Sequence, residues 1–228
     1  MLREAMFHLR MPVKLLQASS ASSPLVSSSQ RVYNSSRHTT RDSQMEVFMS
    51  TYKFQRTTLV LLRGNIVDVQ VDAIVNAANS ALAGGGGVDG AIHRAAGPTI
   101  MEECRKIGGC LTGKAVATSA GRLKAKYIFH AVGPIYGHHR NAAQLLAGAY
   151  QSCLDLAEEH QVASIAFPSI STGAYGYPLK EAASIALHTV IDHLKNPTCL
   201  QQVMFVLFSN DDYMVYEQTL TSLLEDQQ

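Results

Sequence analysis

An α/β fold, with helices on both faces of a mixed or largely parallel sheet, is predicted from three observations. Short continuous apolar runs recur along the chain, amphipathic helical stretches fall between them, and glycine-rich or small-residue loops follow some of the runs. The runs at 59–62 and 73–75 read as strands covered on both faces. So do 127–132, 164–168 and 203–208, while 115–119 is a weaker strand. Glu102 and Glu103 lie in a helical pattern. Leu145, Ala149, Cys153, Leu156 and Ala157 recur at three- and four-residue spacing, as do Ala182, Ile185, Ala186, Val190 and Leu194. Pro178 suits the start of this second helix, where its missing N–H costs nothing. A last helix is expected over 212–224. One domain spans 49–228, with no internal repeat and no second core.

Composition narrows the function classes. At 228 residues the chain has room for one α/β domain and a tail, and 46% hydrophobic against 16% charged residues supports a sizeable core. A net charge of +1 argues against nucleic acid as the main partner. No apolar run approaches the roughly 18 to 20 residues of a membrane-spanning helix, so no membrane is expected. Cys104, Cys110, Cys153 and Cys199 show no CxxC pair or metal-ligand spacing and are read as reduced thiols. A monomer is expected.

Residues 1–48 differ from the rest. Over positions 1–44, Arg3, Arg10, Lys14, Arg31, Arg37 and Arg41 face only Glu4 and Asp42, around a Ser-rich run at 19–29. Arg- and Ser-rich, acid-poor N-termini resemble transit peptides, which would place the protein in mitochondria. A start at Met45 or Met49 would instead leave it cytoplasmic.

In such sheets ligands bind beyond the carboxyl ends of the strands. The loop after the second strand runs Asn76-Ala77-Ala78-Asn79, then Gly84, Gly85, Gly86 and Gly87, then Val88-Asp89-Gly90-Ala91-Ile92-His93. Consecutive glycines allow close backbone approach, and a helix starting near Val88 offers free N–H groups to an anion. Together they read as a phosphate cradle. Residues 85–90 formally satisfy GxGxxG, but nine residues separate the strand from that run and no acid ends the next strand, so a Rossmann site is rejected. No GK[ST] follows, so neither is it a P-loop. Asp89 and His93 are four apart and stack on one helix face. With Asn79 they form an amide, a carboxylate and an imidazole beside the cradle, able to orient a ribose and handle the proton of a water.

A second small-residue turn, Ser171-Thr172-Gly173-Ala174-Tyr175-Gly176, follows the run at 164–168 and suits the other side of a diphosphate. Tyr175 is placed to lean on a ribose, Tyr177 to pack, His130 to be a satisfied buried histidine, and His138 and His139 to lie in a solvated loop. Phe208 either stacks on a base or is an ordinary core aromatic.

At this point the residues closely resemble the macrodomain family. Asn76-Ala77-Ala78-Asn79, the glycine run, the segment from Val88 to His93 continuing to Gly97-Pro98, His130-Ala131-Val132-Gly133-Pro134 and the stretch from Phe167 to Pro178 all fit. The resemblance covers about residue 57 to the C-terminus, and the Asp89/His93 pairing points to its MacroD-type branch. It implies a three-layer α/β/α sandwich with no metal or redox cofactor. It also implies hydrolysis of ADP-ribosyl esters of protein Asp/Glu and of O-acetyl-ADP-ribose, so the expected partners are these esters, ADP-ribose and mono-ADP-ribosylated proteins. Asn79 would contact the distal ribose, Asp89 would position or activate the water, and His93 would orient that ribose or Asp89. Gly85, Gly86, Gly87 and Val88, with Ser171, Thr172, Gly173, Ala174 and Tyr175, would hold the diphosphate and distal ribose. Phe208 would stack near adenine, and Asn65, Ile66 and Asn76 complete the ligand-binding set. A reader that binds ADP-ribose without turnover needs the phosphate loops but not Asp89 and His93, so having both favours the hydrolase.

One departure stands out. The family usually carries Gly-Asp-Ile-Thr after its first strand, the aspartate accepting from the adenine amino group. Here the segment is Gly64-Asn65-Ile66-Val67. Asn65 accepts through its amide oxygen without charge assistance, so adenine selection is expected to be weaker by roughly 1 kcal/mol.

Overall fold

A computed structural model describes residues 48–226. The expected N-terminal extension, and its transit-peptide reading, lie outside the described residues except for Phe48, which packs on the fold: its carbonyl accepts from Arg63 N at 2.9 Å and its ring lies 5.7 Å from that of Tyr213.

The strands are β1 (Met49–Phe54), β2 (Thr57–Arg63), β3 (Ala73–Ala77), β4 (Ala115–Ser119), β5 (Tyr127–Ala131), β6 (Ser164–Phe167) and β7 (Gln202–Leu207). The helices are α1 (Gly87–Ala96), α2 (Thr99–Ile107), α3 (Ala142–Glu159), α4 (Leu179–Leu194) and α5 (Asn210–Glu225), with a 3-10 turn at Ile66–Asp68. The strands form one sheet in the order β1-β2-β7-β6-β3-β5-β4. β2, β7, β6, β3 and β5 run parallel, and β1 and β4 close the edges antiparallel.

Alternation along the central strands divides the core in two. Val75, Phe129, Phe167 and Phe205 face one way and pack on α3, α4 and α5 through residues such as Tyr150, Leu187 and Tyr216. Ile74, Ile128, Ala166 and Val206 face the other way, onto Ile92 and Ala96 of α1 and Ile100 of α2. Each large side chain buried this way contributes about 1.5–3 kcal/mol against leaving it exposed. The result is the three-layer α/β/α sandwich, with a mixed sheet at its centre.

One strand escaped the pattern. β1 buries only alternate residues, Ser50, Tyr52 and Phe54, so it shows no apolar run. Ser50 is held instead by Tyr213 OH at 2.5 Å and by donating to Glu217 Oε1 at 2.6 Å, which ties this edge to α5. The helical pattern at Glu102 and Glu103 is α2, ended by Gly108 in the left-handed region. Parallel pairing brings the carboxyl ends of β2, β7, β6, β3 and β5 to one edge, where the loops of interest gather.

Candidate active site

The central elements of the site are β3 and α1. Asn76, expected in the loop, lies inside β3 and is fully buried. α1 begins at Gly87 with Gly86 as its N-cap residue, so the exposed glycines stand at a helix N-terminus as expected. Gly84 and Gly87 adopt positive φ of 75° and 55°, which side chains rarely allow. Asn79 organises this loop: its Nδ2 donates to Gly84 O at 2.8 Å and its Oδ1 accepts from Ala83 N at 3.2 Å.

Asp89 is only 6% exposed. Its Oδ1 accepts from Asn76 Nδ2 at 2.6 Å and lies 3.4 Å from His93 Nε2, one turn along the same face. Its Oδ2 points at the loop, 3.1 Å from where a side chain on Gly85 would begin. Among the described residues, the buried side-chain atoms with no hydrogen-bond partner are Asn76 Oδ1, Asp89 Oδ2 and Ser171 Oγ. A buried polar atom left unpaired costs about 1–3 kcal/mol. All three belong to this site.

The second loop follows β6. Ser171 is buried and held at φ 67°, strain of the kind that gathers at ligand clamps. Thr172 Oγ1 is taken up by Ser169 O at 3.0 Å, whereas Gly173 and Ala174 are exposed and Tyr175 is half-buried. Tyr136 N donates to Tyr175 O at 2.9 Å, and a side chain on Gly133 would run into Ile170 and Ser171, so the loop after β5 presses on this one. Tyr177 packs in the core against Tyr136, and His138 and His139 are exposed, as expected.

At the far end, Asn65 is exposed after β2 and caps the 3-10 turn by accepting from Val67 N at 3.4 Å. Ile66 puts its side chain into the α1-side core, so any contact it makes with a ligand is through its main chain. Phe208 is not a core aromatic: it sits one residue past β7 and is 81% exposed. The capping box of Ser209 and Asp212 starts α5 directly after it and holds the chain there. Along the sheet edge the loops therefore run Asn65, Phe208, Ser171–Tyr175, then the glycine loop with Asp89, in the order β2, β7, β6, β3.

Residues 75–186 match the Macro domain family. A macro domain-containing protein of Caldanaerobacter subterraneus subsp. tengcongensis is 59% identical over 168 residues, which cover 72% of this chain and 95% of that protein. The chain belongs to the macro domain family. An O-acetyl-ADP-ribose deacetylase of Salmonella gallinarum is 49% identical to this macrodomain over 173 residues, covering 74% of the chain and 97% of the relative. The structure of the Oceanobacillus iheyensis macrodomain with ADP superposes with a TM-score of 0.77 at 40% identity, covering 79% of this chain and 99% of that one.

His130 of the macrodomain is fully buried, as expected, between Asn76 and Thr118. Burial, then the nearby His93, push its pKa down to about 4. The folded protein thus holds it neutral, whereas an unfolded chain takes up that proton near pH 6.5. Its contribution to stability is complete above that pH and falls as pH drops from 6.5 towards 4, by about 3 kcal/mol in all. Thermal unfolding followed between pH 7 and 4.5 should show this loss, and His130→Gln should flatten the dependence.

His93, Cys104 and His130 bring one ligand-type atom each within 4.8 Å of one another. Both ring nitrogens of His130 are already hydrogen-bonded, so a metal ion here would displace Asn76 or Thr118. Burial, with Asp89 and Glu103 nearby, pushes the Cys104 thiol up to about 11, so it is no nucleophile at neutral pH.

Proposed function

We propose that this macrodomain binds ADP-ribose and hydrolyses its esters, removing mono-ADP-ribose from protein Asp/Glu and deacetylating O-acetyl-ADP-ribose. The observation that carries this is Asp89, buried with one oxygen held by Asn76 and the other unpartnered beside the glycine loop. A carboxylate so placed accepts a proton from a water or ribose hydroxyl. The two substrates share one reactive unit, a carboxylic ester on the ribose beyond the diphosphate, so one site serves both. The order of the loops fits such a ligand laid along the sheet edge. Adenine lies between Asn65 and Phe208, the diphosphate between Ser171–Tyr175 and the glycine loop, and the distal ribose at Asn79, Asp89 and His93.

The deciding experiment incubates the full chain with a protein mono-ADP-ribosylated on glutamate, and separately with O-acetyl-ADP-ribose. Release of ADP-ribose from both is the expected result. Tight ADP-ribose binding with no release from either would make the protein a reader.

At the adenine end, Asn65→Asp restores charge assistance and keeps the cap on the 3-10 turn. ADP-ribose should bind about fivefold more tightly, or roughly 1 kcal/mol. Calorimetric titration of the two proteins checks it, and equal affinity would remove Asn65 from adenine recognition.

A further inference from the structure

Asn76 of β3 and His130 of β5 are partners in the parallel register, on the same sheet face as Ile74 and Ile128. There α1 and α2 cover them, and counting donors fixes the direction of every bond between them. The hydroxyl of Thr118 donates its single proton to Ser119 O at 3.0 Å, so it accepts from His130 Nε2–H at 2.9 Å. Neutral His130 then presents an unprotonated Nδ1, which accepts one Asn76 Nδ2 hydrogen at 3.1 Å. The other Nδ2 hydrogen goes to Asp89 Oδ1 at 2.6 Å.

The Asn76 amide cannot turn over within this chain. Reversal would set its Oδ1 against two acceptors, His130 Nδ1 and Asp89 Oδ1. The fixed orientation leaves Asn76 Oδ1 buried without a partner, a destabilising feature that packing alone does not require. Its return is at the other end, where Asp89 keeps one oxygen turned inward and the other towards Gly85.

We propose that Asn76 and His130 are positioning residues that hold Asp89 Oδ1 inward, so that Oδ2 alone meets the water or ribose hydroxyl. Asn76 then acts behind the ligand rather than against it. This role rests on the hydrolase function proposed above.

The test measures kcat and KM on the glutamate-linked substrate, the Kd for ADP-ribose and the unfolding temperature, all on the full chain. Asn76→Leu and His130→Leu should lower kcat ten- to a hundredfold, the scale of a misplaced reacting group, with KM and Kd within about threefold of wild type. His130→Gln, whose amide accepts from Asn76 and donates to Thr118, should recover most of the turnover lost in His130→Leu. Thr118→Val keeps the volume, breaks the far end of the chain and should cost severalfold in kcat, so it decides the matter if a leucine variant unfolds. Folded variants that turn over at the wild-type kcat would overturn the positioning role alone. So would a glutamine variant no faster than the leucine variant at equal unfolding temperature. An inert wild type that still binds ADP-ribose would overturn the hydrolase function and the positioning role with it.

Discussion

Asp89→Ala should lower ester hydrolysis by two to four orders of magnitude, the range a positioned acid–base group supplies, while ADP-ribose stays bound. The asymmetry between the two carboxylate oxygens is the reason. Oδ1 is spent on Asn76 and lies near His93, whereas Oδ2 has no partner within the protein. Alanine removes the proposed proton acceptor but leaves the glycine loop, the N-terminus of α1 and the strained Ser171 loop, to which the proposed function assigns the diphosphate. Timed release of ADP-ribose, set beside calorimetric binding of the product, separates the two effects. Hydrolysis at the wild-type rate would make Asp89 structural and hand water activation to the substrate's own phosphate.

Gly90→Ala should damage binding more than any change at the exposed glycines. A side chain there would start 2.5 Å from the carbonyl oxygen of Gly85 and 3.0 Å from Arg94 Nη1. The first contact is with backbone, which cannot swing aside, so the glycine loop must lift off α1. Overpacking of this kind costs about 1–3 kcal/mol of stability. Displacing the cradle should weaken ADP-ribose binding at least tenfold. Gly86 is the control: nothing lies within 4 Å of a side chain placed there, and its φ of −96° suits any residue. Gly86→Ala should therefore fold normally, and any affinity it loses reports direct contact between the ligand and that glycine. Wild-type affinity in Gly90→Ala would show that the loop is not clamped on α1.

Much of the site was legible because its signals are local. Four glycines between a buried strand and a helix start, and an aspartate and histidine one helical turn apart, need only the rules of backbone torsion and helix spacing. The runs at 73–75 and 164–168 read as strands because neighbouring strands and helices on both sides leave them apolar, apart from Ser164 at the start of the second. β1 was not legible for the converse reason: its outward residues are polar, and its inward Ser50 is satisfied by Tyr213 and Glu217, more than 160 positions away in sequence.

What the sequence determined by itself, then, was the α/β class, the order of its main elements from β2 onward, and the side chains beside the glycine loop. The tertiary structure alone decided which of them lie buried behind others and which stand exposed at the sheet edge. Asn76 reads as a loop residue until β3 pairs with β5, and the register with His130 turns it inward, behind Asp89. Phe208 reads equally as core or surface until β7 ends one residue before it and α5 starts one residue after the Ser209 cap. Gly133 shows its purpose only when the loop after β6 lies against it. In each case the deciding neighbour is distant in sequence. Local pattern specifies periodicity and propensity, whereas burial, hydrogen-bond direction and steric clearance depend on which strands and loops become neighbours.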